Sequence, residues 1–279
     1  MRFGVHMPQA GGFPKNVKRV AEIGCRTIQI FPGNPTGWKM GKLEDKEIEK
    51  RTGLLKEMDI APLVVHSAYL INLATNNEEF LQKSKKLLDE TMQRAGLYGA
   101  PYVVLHTGNH GGLGVEKGMA QIIDSIAEGL NKWPEPVMLL LENTAGSGTA
   151  LGWRFEELAE ILQSFPKGKL GTCIDTAHGW AAGYDFGSAA GAAKVIGEFD
   201  RVIGLEHLKV FHVNDTKVER GARVDRHAHI GEGNISLEGF SAIVNYGWPE
   251  DFPFILETPE TGSDWDRVNL EKLKGLVAP

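Results

Sequence analysis

Residues 209–234, KVFHVNDTKVERGARVDRHAHIGEGN, concentrate side chains that can do chemistry. A short apolar run, Val210-Phe211, ends in His212, and a polar segment follows with Lys217, Arg220, Arg223 and Arg226 close together. Asp225-Arg226-His227 then sets a carboxylate and an imidazole two residues apart, and Gly231-Glu232-Gly233-Asn234 closes the stretch as a turn. Imidazole and carboxylate ligands beside several cations suit a centre that handles a phosphate on a metal ion. A solvated loop with a stray Asp-x-His would look the same in isolation, because two ligands do not define a metal site. The weight therefore rests on what the rest of the chain supplies.

Apolar runs elsewhere end in the same residue types. Runs 62–66, 102–106, 137–142, 170–175 and 253–257 finish on His66, His106, Glu142, Asp175 and Glu257. One His at such a place is usually a hydrogen-bonded core or loop residue, and one Asp or Glu often caps the next helix. Six in succession, counting His212, is a different matter, since burying three imidazoles and three carboxylates together without a cation would be very costly. His178, three residues after Asp175, and the pair Asp225 and His227 add donors from loops. Nine nitrogen and oxygen donors with no sulfur favour Zn²⁺, with Mn²⁺ or Fe²⁺ as alternatives, and are too many for a single ion. If one carboxylate bridges, three ions with three or four ligands each is a workable partition. Among the remaining histidines, His6 follows the first run as an outer partner of the centre and His110 is a candidate phosphate contact. His207 and His229 read as structural or solvated, and Arg154 and Lys39 as ordinary surface cations unless DNA backbone reaches them.

The elements that would position these residues follow from the apolar pattern. Eight short apolar runs, at 2–5, 27–31, 62–66, 102–106, 137–142, 170–175, 209–213 and 253–257, read as strands. Most are continuously apolar, as in a parallel sheet covered on both faces. Helix-period segments lie between or after them, at 14–23, 44–58, 78–97, 116–132, 155–163, 188–199, 237–244 and 266–276. In the third, Phe80, Leu81, Leu87, Leu88, Met92 and Ala95 form one stripe, and Lys83, Lys85, Lys86 and Glu90 take the other face. Strand ends recur about every 36 residues, the length of a strand, a helix and two loops. The fold class is α/β, a single (β/α)₈ TIM barrel over residues 1–279, whose strand ends open on one catalytic face. A doubly wound open sheet is the alternative, but no Gly-x-Gly-x-x-Gly follows the first run.

Bulk properties set the limits. The 279 residues are 42% hydrophobic and 24% charged, enough for a substantial core without disulfides. Cys25 and Cys173 lie in apolar surroundings and read as reduced core residues. No signal-peptide pattern and no long apolar stretch is present, so a cytoplasmic setting is expected. The formal net charge of −6 argues against non-specific nucleic-acid affinity from bulk charge. Three divalent cations would outweigh the four carboxylates, so a locally positive pocket for a phosphodiester remains compatible with an acidic chain.

At these residues the chain resembles the endonuclease IV family of apurinic/apyrimidinic (AP) endonucleases. The matching stretches are HSAYLINLA at 66–74, LLENTAGSGTALG at 140–152, CIDTAHGWAAGYD at 173–185, FHVNDTKVERGARVDRHAHIGEGNI at 211–235 and ILETP at 255–259. The resemblance implies a trinuclear zinc site. It assigns one ion to His66, His106 and Glu142, a second to Glu142, Asp175, His212 and Glu257, and a third to His178, Asp225 and His227. It implies a DNA-repair hydrolase acting as a monomer on abasic sites in double-stranded DNA. The phosphodiester 5′ to the lesion is cut, leaving a 3′-hydroxyl and a 5′ deoxyribose phosphate, with 3′-end trimming alongside. Glu142 is the expected catalytic group, Tyr69 and Leu70 would enter the duplex at the lesion, and Lys217, Arg220, Arg223 and Arg226 would meet phosphates. Two departures stand out: the loop Asn34-Pro35-Thr36-Gly37-Trp38 has no long polar side chain where the family commonly has Arg or Gln, and His106-Thr107-Gly108 replaces His-Pro-Gly. A rival is a xylose-isomerase-like sugar isomerase or epimerase holding one metal on Glu142, Asp175, His212 and Glu257. It leaves His66, His106, His178, Asp225, His227 and the basic loop without a role. A non-catalytic lesion-binding or metal-carrying protein would need the ligands without the chemistry.

Overall fold

Eight parallel strands close on themselves in the computed structural model, which describes residues 1–8 and 10–278. The barrel strands are β1 (Arg2–His6), β2 (Thr27–Ile30), β3 (Leu63–His66), β4 (Tyr102–His106), β5 (Met138–Glu142), β6 (Leu170–Asp175), β7 (Leu208–His212) and β10 (Pro253–Leu256). Helices pack outside them: α1 (Phe13–Glu22), α2 (Asp45–Glu57), α3 (Glu78–Leu97), α4 (Val115–Leu130), α5 (Phe155–Gln163), α7 (Ala189–Val202), α8 (Leu237–Val244) and α9 (Trp265–Lys274). The expected barrel and its strand positions hold to within one or two residues at most ends.

Three features depart from the sequence expectation. A short helix, α6 (Thr176–Ala182), starts directly off β6, so His178 is helical and not a loop residue. Asp175 caps it, its side chain accepting from the His178 N–H at 2.8 Å, and Gly183 ends it in the left-handed region. A two-stranded hairpin, β8 (Asp215–Thr216) with β9 (His227–Ala228), rises from the segment after β7. Phe80 leaves the buried stripe expected of α3: it is exposed and stacks on Trp38 at 6.2 Å, while Ser84 and Thr91 join Leu81, Leu87, Leu88, Met92 and Ala95 in the core.

Alternation along the strands explains how an apolar barrel presents a polar mouth. Val64, Val104, Leu140, Cys173, Val210 and Ile255 form a closed aliphatic cluster inside the barrel, separate from the large core between strands and helices. Residues i and i+2 of a strand face the same side. Two positions further on lie His66, His106, Glu142, Asp175, His212 and Glu257. The polar ring is thus the next inward layer above the aliphatic plug. Adjacent strands pack so closely at Gly4 that an added Cβ would lie 1.7 Å from the Thr27 carbonyl oxygen.

Asp215 fastens the turn after the hairpin to the strand β8. Its buried carboxylate accepts from the backbone N–H groups of Thr216, Gly231, Gly233 and Ile235 at 2.8 to 3.0 Å. The turn passes so close that a Cβ at Gly233 would sit 2.3 Å from Asp215 Oδ1. Asp215→Ala would leave four backbone donors without their acceptor, those of Thr216 and Ile235 buried, in the segment that carries Asp225 and His227. A loss of at least about 2 kcal/mol is expected, read as a lower urea midpoint at an unchanged slope.

Candidate metal centre

The nine donors expected from the sequence converge at the barrel mouth. Glu142, Asp175 and His212 are fully buried, His66 and His178 nearly so, His227 is largely buried, and Asp225 is half exposed. His66 Nε2 and His106 Nε2 lie 3.2 and 2.9 Å from Glu142 Oε2. His212 Nδ1 lies 2.9 Å from Glu142 Oε1 and 3.1 Å from Glu257 Oε2. Asp225 reaches His178 Nε2 at 3.3 Å and His227 Nε2 at 3.2 Å.

Donor atoms within 4.8 Å of one another form the groups His66–His106–Glu142 and Glu142–Asp175–His212–Glu257, with Glu142 common to both. The third group is Asp175–His178–His227, where the sequence reading had Asp225 with the two histidines. Asp225 approaches from the open side instead. Cys173 also comes within reach of Glu142 and His212 from the layer below.

The rings are held for ligation. His66 donates from Nδ1 to the Ser67 carbonyl at 2.8 Å, His178 to the Asn143 carbonyl at 3.0 Å and His227 to the Glu257 carbonyl at 2.8 Å. Each presents Nε2 to the cluster, as ligating histidines commonly do. His227 Nε2 is buried and has no hydrogen-bond partner among the described residues, although Asp225 is near. A buried ring nitrogen without a partner, facing carboxylates, fits a cation. The residues present therefore suit a cluster of divalent ions.

Electrostatics point the same way. Burial would raise Glu142, but His106 and His212 outweigh it and hold its carboxyl well below the usual range. Glu257 is likewise depressed against its burial, chiefly by His212. Burial opposes charge on His178, yet Asp175, Asp225 and Glu142 raise it well above its ordinary value. Burial also opposes charge on His227, which is raised to about 9 by Asp225 and Asp175. His6 is lowered, burial outweighing Glu257. Protons on the imidazoles thus balance the carboxylates where no other cation does.

Several supporting residues were not singled out from the sequence. Asn143 accepts from the Asp175 N–H at 2.7 Å, and Asn214 donates to Asp175 Oδ2 at 2.6 Å while accepting from the Glu257 N–H at 2.6 Å. Gln29, buried on β2, reaches both His212 and Glu257. The signal for Gln29 was available: with Thr27 it is the polar half of an otherwise apolar TIQI.

The expected DNA contacts are unequally placed. Tyr69 is 63% exposed at the rim, with its ring against Phe31 at 5.1 Å; Leu70 follows it. Burial, then the carboxylates of the centre, push the Tyr69 phenol up to about 12. Lys217 is exposed, and Arg226 lines the central cavity of about 350 Å³ with His66, His106 and Glu257. Arg220 pairs with Asp185 at 2.8 Å, and the Arg223 guanidinium lies 4.2 Å over Trp153. His110 accepts from Gly114 N, and His229 stacks on Trp265 at 3.7 Å, so His229 is structural as expected.

A family model described as a xylose isomerase-like TIM barrel matches residues 17–276. A probable endonuclease 4 from Natranaerobius thermophilus is 45% identical over 278 residues, covering 99% of this chain and 98% of that protein. The chain belongs to the endonuclease IV family. A probable endonuclease 4 from Chloroflexus aurantiacus is 42% identical over 283 residues. The crystal structure of endonuclease IV from Thermus thermophilus superposes with a TM-score of 0.85 at 33% identity, covering 99% of this chain and 98% of that one. A D-tagatose 3-epimerase-like protein superposes at 0.76 with 20% identity, a likeness of fold alone. Among the described residues of this endonuclease IV family member, no helix is long and apolar enough to cross a membrane.

The raised imidazoles give a stability signature for chelator-treated protein. Their stabilising contribution is complete below the unfolded value near 6.5 and is lost as pH climbs through the folded one, about 9 for His227. The Tm of ion-free protein should therefore fall between about pH 6.5 and 9. Restoring Zn²⁺ should remove that fall, since metal ligation takes neutral imidazole. A Tm that rises across the window without metal would contradict charged imidazoles.

Proposed function

We propose that this chain is a metal-dependent endonuclease that hydrolyses the phosphodiester 5′ to abasic sites in double-stranded DNA, with 3′-end trimming as a companion activity. The carrying observation is that Glu142 belongs to both the His66–His106 group and the Asp175–His212–Glu257 group, in a chain of the endonuclease IV family. His66, His106 and Glu142 would hold one ion. Glu142, Asp175, His212 and Glu257 would hold a second, and His178, Asp225 and His227 a third with Asp175 alongside. We assign Zn²⁺ to these positions, with Mn²⁺ the alternative. Bound ions of this kind supply Lewis acidity and make water nucleophilic at neutral pH.

The protein's own groups account for the rest. Glu142, buried and ionised, orients the attacking water and takes its proton. The oxygen of water bonds to phosphorus as the bond to the 3′ oxygen of the preceding nucleotide breaks, the departing oxygen takes a proton from solvent, and a 3′-hydroxyl and a 5′ deoxyribose phosphate result. Arg226, which lines the cavity, and the exposed Lys217, whose backbone N–H bonds the Arg226 carbonyl, would neutralise flanking phosphates, with Arg223 and Arg220 engaged by ring and carboxylate partners. Tyr69 and Leu70 enter the duplex where the lesion lacks stacking, which makes the abasic nucleotide cheap to turn outward. The protein would act as one domain and as a monomer; its free, buried Cys25 and Cys173 agree with a reducing cytoplasmic setting. The sugar-isomerase reading uses only Glu142, Asp175, His212 and Glu257 and leaves the other five donors idle.

On an abasic duplex, a chelator should abolish cleavage, and the purified protein should hold about three ions per chain; a single ion would favour the isomerase. Glu142→Gln should lower turnover by about a hundred-fold or more while binding of the duplex survives, and undiminished turnover would remove its role. Arg226→Ala should weaken binding and reduce the slope of log affinity against log salt by about 1, as for one lost phosphate contact. An unchanged slope would return Arg226 to the solvent.

A further inference from the structure

His212 is turned the other way round from its neighbours. His66, His178 and His227 each give Nδ1–H to a backbone carbonyl and present Nε2 to the centre. His212 presents Nδ1, 2.9 Å from Glu142 and 3.1 Å from Glu257, and its Nε2 points away. The atom that receives Nε2 is a side-chain oxygen, Gln29 Oε1, at 2.8 Å.

The orientation of that amide has no freedom. Gln29 Nε2 lies 2.6 Å from Glu257 Oε1, and a carboxylate only accepts, so the amide nitrogen must face Glu257. Its oxygen must then face His212, and an amide oxygen only accepts, so His212 carries a proton on Nε2. The second N–H of the amide goes to His6 Nδ1 at 2.9 Å, which accepts. The His6 ring is itself set against Phe31 at 4.4 Å. One buried amide thus couples β1, β2, β7 and β10 through three hydrogen bonds.

We propose that Gln29 is a positioning residue of the metal centre, selecting Nδ1 as the nitrogen His212 gives to a divalent cation and holding Glu257 for the same ion, with His6 anchoring the amide. The proposal rests on the endonuclease reading only for what the ion is used for. The ligand arrangement itself is a property of this chain. A partner that fixes the tautomer and direction of a ligating histidine generally changes metal affinity by about 10- to 100-fold. Gln29 does this for two ligands of one group, so its loss should release one ion per chain and leave the others.

The test combines a spectrum with a metal titration. In zinc-loaded wild-type protein labelled with ¹⁵N-histidine, His212 should show a proton on Nε2, and His66, His178 and His227 a proton on Nδ1. Gln29→Leu, close in size, should keep its circular dichroism and bind one ion per chain about 10- to 100-fold more weakly in competition with a chelator. His212 bearing its proton on Nδ1, or full affinity for every ion in Gln29→Leu, would overturn the proposal. If that variant fails to fold, the wild-type spectrum alone decides. Cleavage of an abasic duplex by the same wild-type sample is the separate control. Its absence would sink the endonuclease reading and leave the ligand test intact.

Discussion

Everything at the mouth of this barrel follows from the difficulty of burying like-charged and ionisable groups without a counter-charge. Glu142, Asp175 and Glu257 converge within a few ångströms, and three carboxylates in that space repel strongly where water is scarce. The histidines relieve this in two exchangeable ways. Protonated, they neutralise the carboxylates directly; neutral, they share with them a set of divalent cations. The second state is the more stable expectation because it satisfies Nε2 of His227, which finds no hydrogen-bond partner among the described residues. The polar layer can exist only because the layer below, from Val64 round to Ile255, fills the barrel with aliphatic side chains.

Rigidity is distributed to match. Ligands that end strands have their backbone fixed by the sheet, and the amides of Gln29, Asn143 and Asn214 set His212, Asp175 and Glu257. Donors beyond the strands are tied down explicitly. Asp215 binds the turn behind the hairpin, and Arg223, with φ near 54°, is held by its N–H to Ala181 and its carbonyl to Ser147. Those two backbone bonds, together with the ring of Trp153, place the chain two residues before Asp225. A cation expected from the sequence to meet DNA therefore also holds the loop in place.

The barrel was legible because continuous apolar runs of strand length recur at a steady spacing and end in ionisable residues. His66, His106, Glu142, Asp175 and His212 close their strands, and Glu257 lies one residue past β10. What escaped notice depends on partners distant in the chain. Gln29, Asn143 and Asn214 act through side-chain amides whose meaning appears only when strands are neighbours. Helix α6 was missed for a local reason. It follows β6 with no intervening loop, so the capping role open to a strand-end Asp is hidden by its place among the ligands, although the pattern from Asp175 to Gly183 carries both helix signals. Phe80 fits the helical stripe by periodicity but meets Trp38 of the preceding loop, a contact no single-helix pattern contains.

The same barrel is shared with epimerase-like proteins, so the fold cannot distinguish phosphodiester hydrolysis from sugar isomerisation. The distinction lies in which strands contribute donors. Glu142, Asp175, His212 and Glu257 come from β5, β6, β7 and the end of β10, and would serve one ion in either chemistry. His66 and His106 extend the centre across β3 and β4, while α6 and the hairpin add His178, Asp225 and His227. His66 and His106 bring a second donor group onto Glu142, which on the proposed reading would serve two ions instead of one. A carboxylate shared by two donor groups would let two ions act on one phosphodiester, which an isomerase moving a proton between carbons does not require. Gln29 fits that demand. His212 lies 2.9 Å from Glu142, so an amide that fixes both His212 and Glu257 limits drift in the group that shares Glu142.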